Sequence, residues 1–246
     1  MSLGTFYCHG LPGWPGEIEL AGHRPKGWAC ADLLGCDPGD PIGDLLNRFD
    51  AQCATSGLMR VTGFSLGAMA ALHLAARRPD MVTDLHLIAP AAPLTLGQFL
   101  PDMAGAQVFR VARSSAARLR FLLSMQAAAT RVAPGIVLRA MISTAQPAER
   151  ALFRNDPARR IVTRGLRQAL TQRAAYAAWL RLYVSDWRPI LRDVQCRIEI
   201  RQGTEDAWVP PAMAHALLDA LPNAGLTEMP GLGHYGALQA HLADAE

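Results

Sequence analysis

Ser65 stands in Gly63-Phe64-Ser65-Leu66-Gly67, with glycines two positions away on each side. A serine hydroxyl near its free pKa is a poor nucleophile, so chemistry there needs a general base and a carboxylate to orient that base. Both types follow in glycine-bounded stretches, Gly203-Thr204-Glu205-Asp206-Ala207-Trp208-Val209-Pro210 and Gly231-Leu232-Gly233-His234-Tyr235-Gly236. Ser65, Asp206 and His234, in that order, are the side-chain types of acyl transfer. The hydroxyl would attack, the imidazole would take its proton, and the carboxylate would hold the imidazolium. Rival assignments exist for each. Ser65 could be a helix N-cap, Glu205 could be the acid, and Asp206 could be a turn residue. His234 competes with six other histidines, of which His73 and His86 read as packing residues and His9 as a structural one.

The setting of the serine is what raises it above a chance pentapeptide. Leu58 to Thr62 suits a short buried strand, and Leu66 to Arg78, rich in Ala and Leu and closed by Pro79, suits a helix. A serine on a sharp strand-to-helix turn is held in a strained backbone with its hydroxyl exposed, and only glycines leave room for that turn. Further strands are expected at 5–8, 28–31, 85–89, 196–200 and 226–229. Helices are expected at 41–55 (Asp40 as N-cap, Pro41 at its first position), 211–220 and 234–243. Strands alternating with helices predict an α/β fold, a mostly parallel central sheet with helices on both faces.

Between Leu94 and Trp187 the pattern changes to helical runs of Ala, Leu and Arg punctuated by Pro134, Pro147 and Pro157, with 158–184 the longest. From Pro93 to Arg188 fifteen arginines face four acids (Asp102, Glu149, Asp156, Asp186), a net of +11. The rest of the chain carries nine basic and seventeen acidic residues, a net of −8. This asymmetry predicts a core at 1–93 and 189–246 interrupted by an all-helical cap at 94–188.

The overall net charge of +3 and the scarcity of aromatics among the arginines argue against nucleic acid as a partner. Five cysteines without a CxxC pair read as reduced thiols, with no metal site in their spacing. The first residues lack a signal-peptide pattern and no 18-residue apolar span exists, so the expectation is a cytoplasmic protein without membrane insertion.

These motifs together resemble the α/β-hydrolase fold superfamily, of the capped serine esterase type. His9-Gly10-Leu11-Pro12-Gly13 is similar to the family's HGxPG loop, 63–67 to its nucleophile elbow, 203–210 to its GxxDxxVP stretch and 233–234 to its terminal histidine loop. The chain departs in starting at what corresponds to the family's third strand. The resemblance implies Ser65 as nucleophile, His234 as base and then acid, Asp206 as its orienting carboxylate, and no cofactor. The oxyanion hole would be the backbone amides of Leu11 and Leu66. Trp14 and Tyr235 are candidates for the substrate pocket.

A serine nucleophile in this family implies ester cleavage through an acyl-enzyme, with thioesterase or lactonase activity, or ligand binding without turnover, as alternatives. Arg113, Arg118, Arg120, Arg159, Arg160, Arg164 and Arg167 form clusters that could draw in an acidic partner. A solvated helical surface is the plainer account of them. In the resembled family, the pimeloyl-acyl-carrier-protein methyl ester esterases of biotin synthesis use a basic cap to receive an acidic acyl carrier protein. The same ester is the specific substrate expected here.

Overall fold

The computed structural model describes residues 4–132, 139, 142–143 and 145–245. Six strands form one sheet in which every neighbouring pair is parallel: β1 (Gly4–Cys8), β2 (Trp28–Ala31), β3 (Met59–Phe64), β4 (Val82–Ile88), β5 (Arg197–Gly203) and β6 (Ala224–Met229). Their spatial order is β2-β1-β3-β4-β5-β6. Parallel neighbours need crossovers, and α1 (Pro41–Ser56) and α2 (Gly67–Arg77) supply two of them.

Alternation along a strand sends successive side chains to opposite faces. Phe6 and Cys8 of β1 enter one apolar cluster with Leu45 and Phe49 of α1, Met69 of α2, and Met213 and Leu217 of α8 (Pro211–Ala220). Tyr7 enters the other, with Ile18 and with Leu238 and Leu242 of α9 (His234–Ala243). Both faces are covered, so β3 and β4 at the sheet centre send apolar side chains to each: Val61 and Leu87 to the first cluster, Phe64 and Ile88 to the second. The expected strand before Ser65 runs on through Gly63 and Phe64, and the strand at 85–89 begins earlier, at Val82.

Between β4 and β5 lie α3 (Ala106–Ser114), α4 (Ala116–Val132), α5 (Pro147–Leu152), α6 (Asp156–Thr171) and α7 (Arg173–Tyr183). The single long helical run at 158–184 is in fact two helices. Gln172 leaves the helical region (φ −91°, ψ 39°), and the break lets the apolar stripes of α6 (Val162, Leu166, Leu170) and α7 (Tyr176, Trp179, Leu180) bury separately. Trp179 is fully buried and its Nε1 donates to Leu33 O at 2.7 Å, tying the insert to the sheet layer. Truncating such a side chain typically costs about 3–5 kcal/mol.

Candidate active site

In open parallel sheets reactive groups gather beyond the carboxyl ends of the strands. Ser65 follows β3, Asp206 follows β5, His234 opens α9 just after β6, and the Leu11 loop follows β1. Four segments far apart in sequence therefore meet at one edge.

Ser65 has φ of 56°, a left-handed conformation that is costly for a residue with a Cβ. Backbone bonds hold it there. Ser65 N donates to Ile88 O at 3.0 Å, and Ser65 O accepts from Ala68 N and from Ala91 N, each at 3.1 Å. The glycines are required by close approach. A Cβ on Gly67 would lie 2.3 Å from Cys8 O, and one on Gly63 would lie 2.7 Å from Ala68 Cα. Leu66 occupies the N-cap position of α2, so its amide belongs to the donors that a helix leaves unpaired at its start.

The Leu11 loop is fixed from beneath by two buried groups. His9 Nδ1 donates to Gly10 O at 2.7 Å while its Nε2 accepts from Leu33 N at 3.0 Å, which sets the tautomer. His9 therefore shapes this loop, as the sequence led us to expect. Glu17 was not anticipated. Its Oε1 accepts from Gly10 N at 2.6 Å and from the Tyr7 hydroxyl at 2.7 Å, with the side chain buried. Burial pushes the Glu17 carboxyl above the usual carboxylate range, while its hydrogen bonds from Gly10 N and Tyr7 oppose the shift.

Asp206 has both oxygens satisfied. Oδ1 accepts from Trp208 N and Val209 N, each at 2.9 Å. Oδ2 faces His234 Nδ1 at 2.6 Å and accepts from Gln202 Nε2 at 3.3 Å. Glu205 is exposed, so the structure brings the second of the two adjacent acids to the histidine. With the Nδ1 proton directed to Asp206, Nε2 of His234 keeps its lone pair. The ring packs against Phe64 (centroids 4.6 Å apart) and edge-on to Trp208 (5.4 Å). Burial by itself would lower the His234 pKa. The Asp206 charge and hydrogen bond, with further contributions from Glu149 and Glu17, outweigh it and hold the imidazole above its ordinary value.

Ser65, His234, Leu11 and Leu66 all line one cavity of about 330 Å³. Its apolar walls include Trp208 and Tyr235 from the core and Met103, Phe109, Leu166 and Tyr176 from the helical insert. Tyr235, one of the two pocket candidates, lines this cavity. Trp14 is turned toward α6 instead, its Nε1 donating to Ile161 O at 3.0 Å with the Arg164 guanidinium 3.9 Å over its ring, and the indole that lines the cavity is Trp208. Arg113, Arg118, Arg120, Arg160 and Arg167 are exposed. Arg159 is exposed too and pairs with Asp156 at 2.5 Å. Among the described residues, no three His, Cys, Asp or Glu side chains come together as metal ligands, and no helix is long and apolar enough to cross a membrane.

The sequence profile of the alpha/beta hydrolase family matches residues 6–244. This chain is a member of that family. Among individual relatives, it is 30% identical over 191 residues to a pimeloyl-[acyl-carrier protein] methyl ester esterase of Aromatoleum aromaticum, a match spanning 71% of this chain and 66% of that one. A protein of the same name from Neisseria meningitidis serogroup B is 28% identical over 230 residues, 88% of this chain and 79% of the relative. Among solved structures, a thermophilic esterase from Thermogutta terrifontis superposes with a TM-score of 0.67 at 17% identity, covering 100% of this chain and 87% of its own. At that identity the likeness speaks for the hydrolase fold alone.

Proposed function

We propose that this alpha/beta hydrolase is a serine esterase working through an acyl-enzyme. The observation that carries the reading is the 2.6 Å contact of His234 Nδ1 with Asp206 Oδ2, in a cavity shared with Ser65 at φ 56°. Ser65 Oγ attacks the ester carbon as His234 Nε2 takes its proton. The C–O π electrons move to the carbonyl oxygen, which the Leu66 and Leu11 amides receive. Each such donor is worth about 3 kcal/mol of barrier. Collapse expels the alkoxide, protonated by His234. Water then attacks the acyl-Ser65 carbonyl by the same steps, returning the acid and the free hydroxyl.

For the substrate we infer the methyl ester of a pimeloyl group on acyl carrier protein. The reading is supported by the likeness to the pimeloyl-[acyl-carrier protein] methyl ester esterases at 30% and 28% identity and by the apolar walls of the cavity. In this reading residues 94–188 form a cap over the core of 1–93 and 189–246, and exposed arginines on it attract the acidic carrier. Hydrolysis of p-nitrophenyl butyrate and of the carrier-linked ester, side by side, tests both levels. The wild type should cleave both and Ser65→Ala neither. Charge reversal at Arg113, Arg118 and Arg120 should weaken only the carrier-linked reaction. Equal loss on both substrates, or on neither, would refute the carrier assignment.

A further inference from the structure

The helix that opens with His234 has no cap of its own. Its N-cap residue is Gly233, which offers no side chain, although the first N–H groups of a helix have no partner within it. The partner comes from the helical insert, 86 residues away in sequence. Glu149 Oε1 accepts from Tyr235 N at 2.7 Å, and Oε2 accepts from Gly236 N at 3.3 Å. The carboxylate sits close over this glycine, where a Cβ would lie 2.3 Å from Glu149 Oε2. Phe153, just past α5, packs its ring edge-on to Tyr235 with centroids 5.7 Å apart, so α5 is seated on the start of α9 by apolar as well as polar contact.

A carboxylate 3% exposed is costly unless hydrogen-bonded, and the amides and positive end of a helix are what offset that cost. Four titratable groups bear on Glu149 and His234 themselves or through one another: His234 and Tyr235 lie on α9, Asp206 follows β5, and Glu17, after β1, acts on His234 by its charge. Burial pushes the Glu149 carboxyl above the usual range, and its bond from Tyr235 N and the nearby imidazole pull the other way.

We propose that Glu149 is a positioning residue for His234, through which the helical insert fixes the first turn of α9 and adds a second facing charge to that of Asp206. The proposal rests on the acyl-transfer reading of Ser65, Asp206 and His234. Glu149 touches no reacting atom in that scheme. It sets where the base stands and how readily it holds a proton. The insert thus contributes to the chemistry as well as to the walls of the cavity.

The test uses wild type, Glu149→Gln and Glu149→Asp, each checked for folding by thermal melting, with kcat and KM on p-nitrophenyl butyrate from pH 5 to 9. Fluorophosphonate labelling of wild-type Ser65 is the control for the underlying reading. Glu149→Gln keeps the shape and removes the charge. Its kcat should fall about ten- to a hundredfold with KM little changed. The acid limb of its kcat/KM profile should move to lower pH, because one carboxylate facing the imidazole is gone. Glu149→Asp should also lose kcat, through its shorter reach, but keep the acid limb near the wild-type position. A folded Glu149→Gln with wild-type kcat and an unmoved limb overturns the proposal. Should Glu149→Gln not fold, Glu149→Asp decides: reduced kcat supports the proposal and wild-type kcat refutes it. A wild type that does not label at Ser65 removes the acyl-transfer reading and this proposal together, whereas a labelled wild type beside an unchanged Glu149→Gln removes this proposal alone.

Discussion

The sheet core and the helical insert both reach the cavity, and they do so by different physics. The core contributes polar atoms locked by backbone. Ser65 is pinned by main-chain bonds to Ile88, Ala68 and Ala91, and both oxygens of Asp206 are saturated. The insert contributes side-chain surface to the walls, such as Phe109, Leu166 and Tyr176, and, outside that lining, one carboxylate, Glu149, on the first turn of α9. A core position therefore answers to geometry within tenths of an ångström, while an insert wall answers to volume and shape. Substitutions in the two regions should fail in different ways.

The largest expected effect lies in the core. Ser65→Ala should lower kcat by at least about 10⁴-fold with a nearly unchanged melting temperature. An equal loss of kcat from a substitution in the insert wall, such as Phe109→Leu, would erase the contrast. That variant should instead change KM and acyl-chain preference with kcat on a small ester kept within a few-fold, as read from a p-nitrophenyl ester series.

Stability should divide the same way. Gly67→Ala forces a Cβ to 2.3 Å from Cys8 O, a backbone atom that cannot swing aside. It should cost about 3 kcal/mol or more in urea unfolding. A cost below about 1 kcal/mol would mean that the elbow is softer than its contacts indicate.

Acid should also act through the core. His73 on α2 and His241 on α9 are buried, and burial above all pushes each pKa down to about 3. Burial likewise pushes His86 on β4 down to about 4, with Arg60 adding to the shift. A histidine depressed in the folded state is charged only in the unfolded chain between its two pKa values. Stability is thus fully present above pH 6.5 and lost as pH falls below it. Between pH 7 and 5, each fully depressed group should cost roughly 2 kcal/mol. A flat melting temperature over that range would contradict this. Activity should fail sooner on the same descent. The His234 pKa is raised, and the acid limb of kcat/KM should lie above pH 6.5. The smallest effect belongs to the insert surface. Arg113, Arg118 and Arg120 are exposed, so reversing them should raise KM for a carrier-linked ester only several-fold, and less so at high salt.

The division between regions also explains what could be read in advance. The strand-turn-helix around Ser65 was legible because local chain chemistry imposes it: apolar strand, glycine pair, alanine-rich helix. The parallel sheet was legible from alternation of elements, and Asp206 and His234 from their glycine-bounded loops past later strands. Glu149 was visible only as one of four acids in a basic segment, because its meaning comes from Tyr235 and Gly236, 86 and 87 residues on. Glu17 belongs to no motif in the sequence, because its place comes from Tyr7 and Gly10, which converge on it only in the fold. Trp14 was the indole expected in the pocket and Trp208 is the one that lines it, since which indole lines a cavity is decided by how the insert packs. The break at Gln172 was hidden for the same reason, in a run whose every residue tolerates a helix.

The most direct measurement is peptide mapping after reaction with a fluorophosphonate, applied to wild type, His234→Ala and Ser65→Ala. One adduct per chain is expected, on the peptide carrying Ser65. It should form far more slowly in His234→Ala and not at all in Ser65→Ala, with all three proteins folded. A folded wild type that takes no adduct, or takes it at another serine, would contradict the assignment of Ser65 as the attacking group.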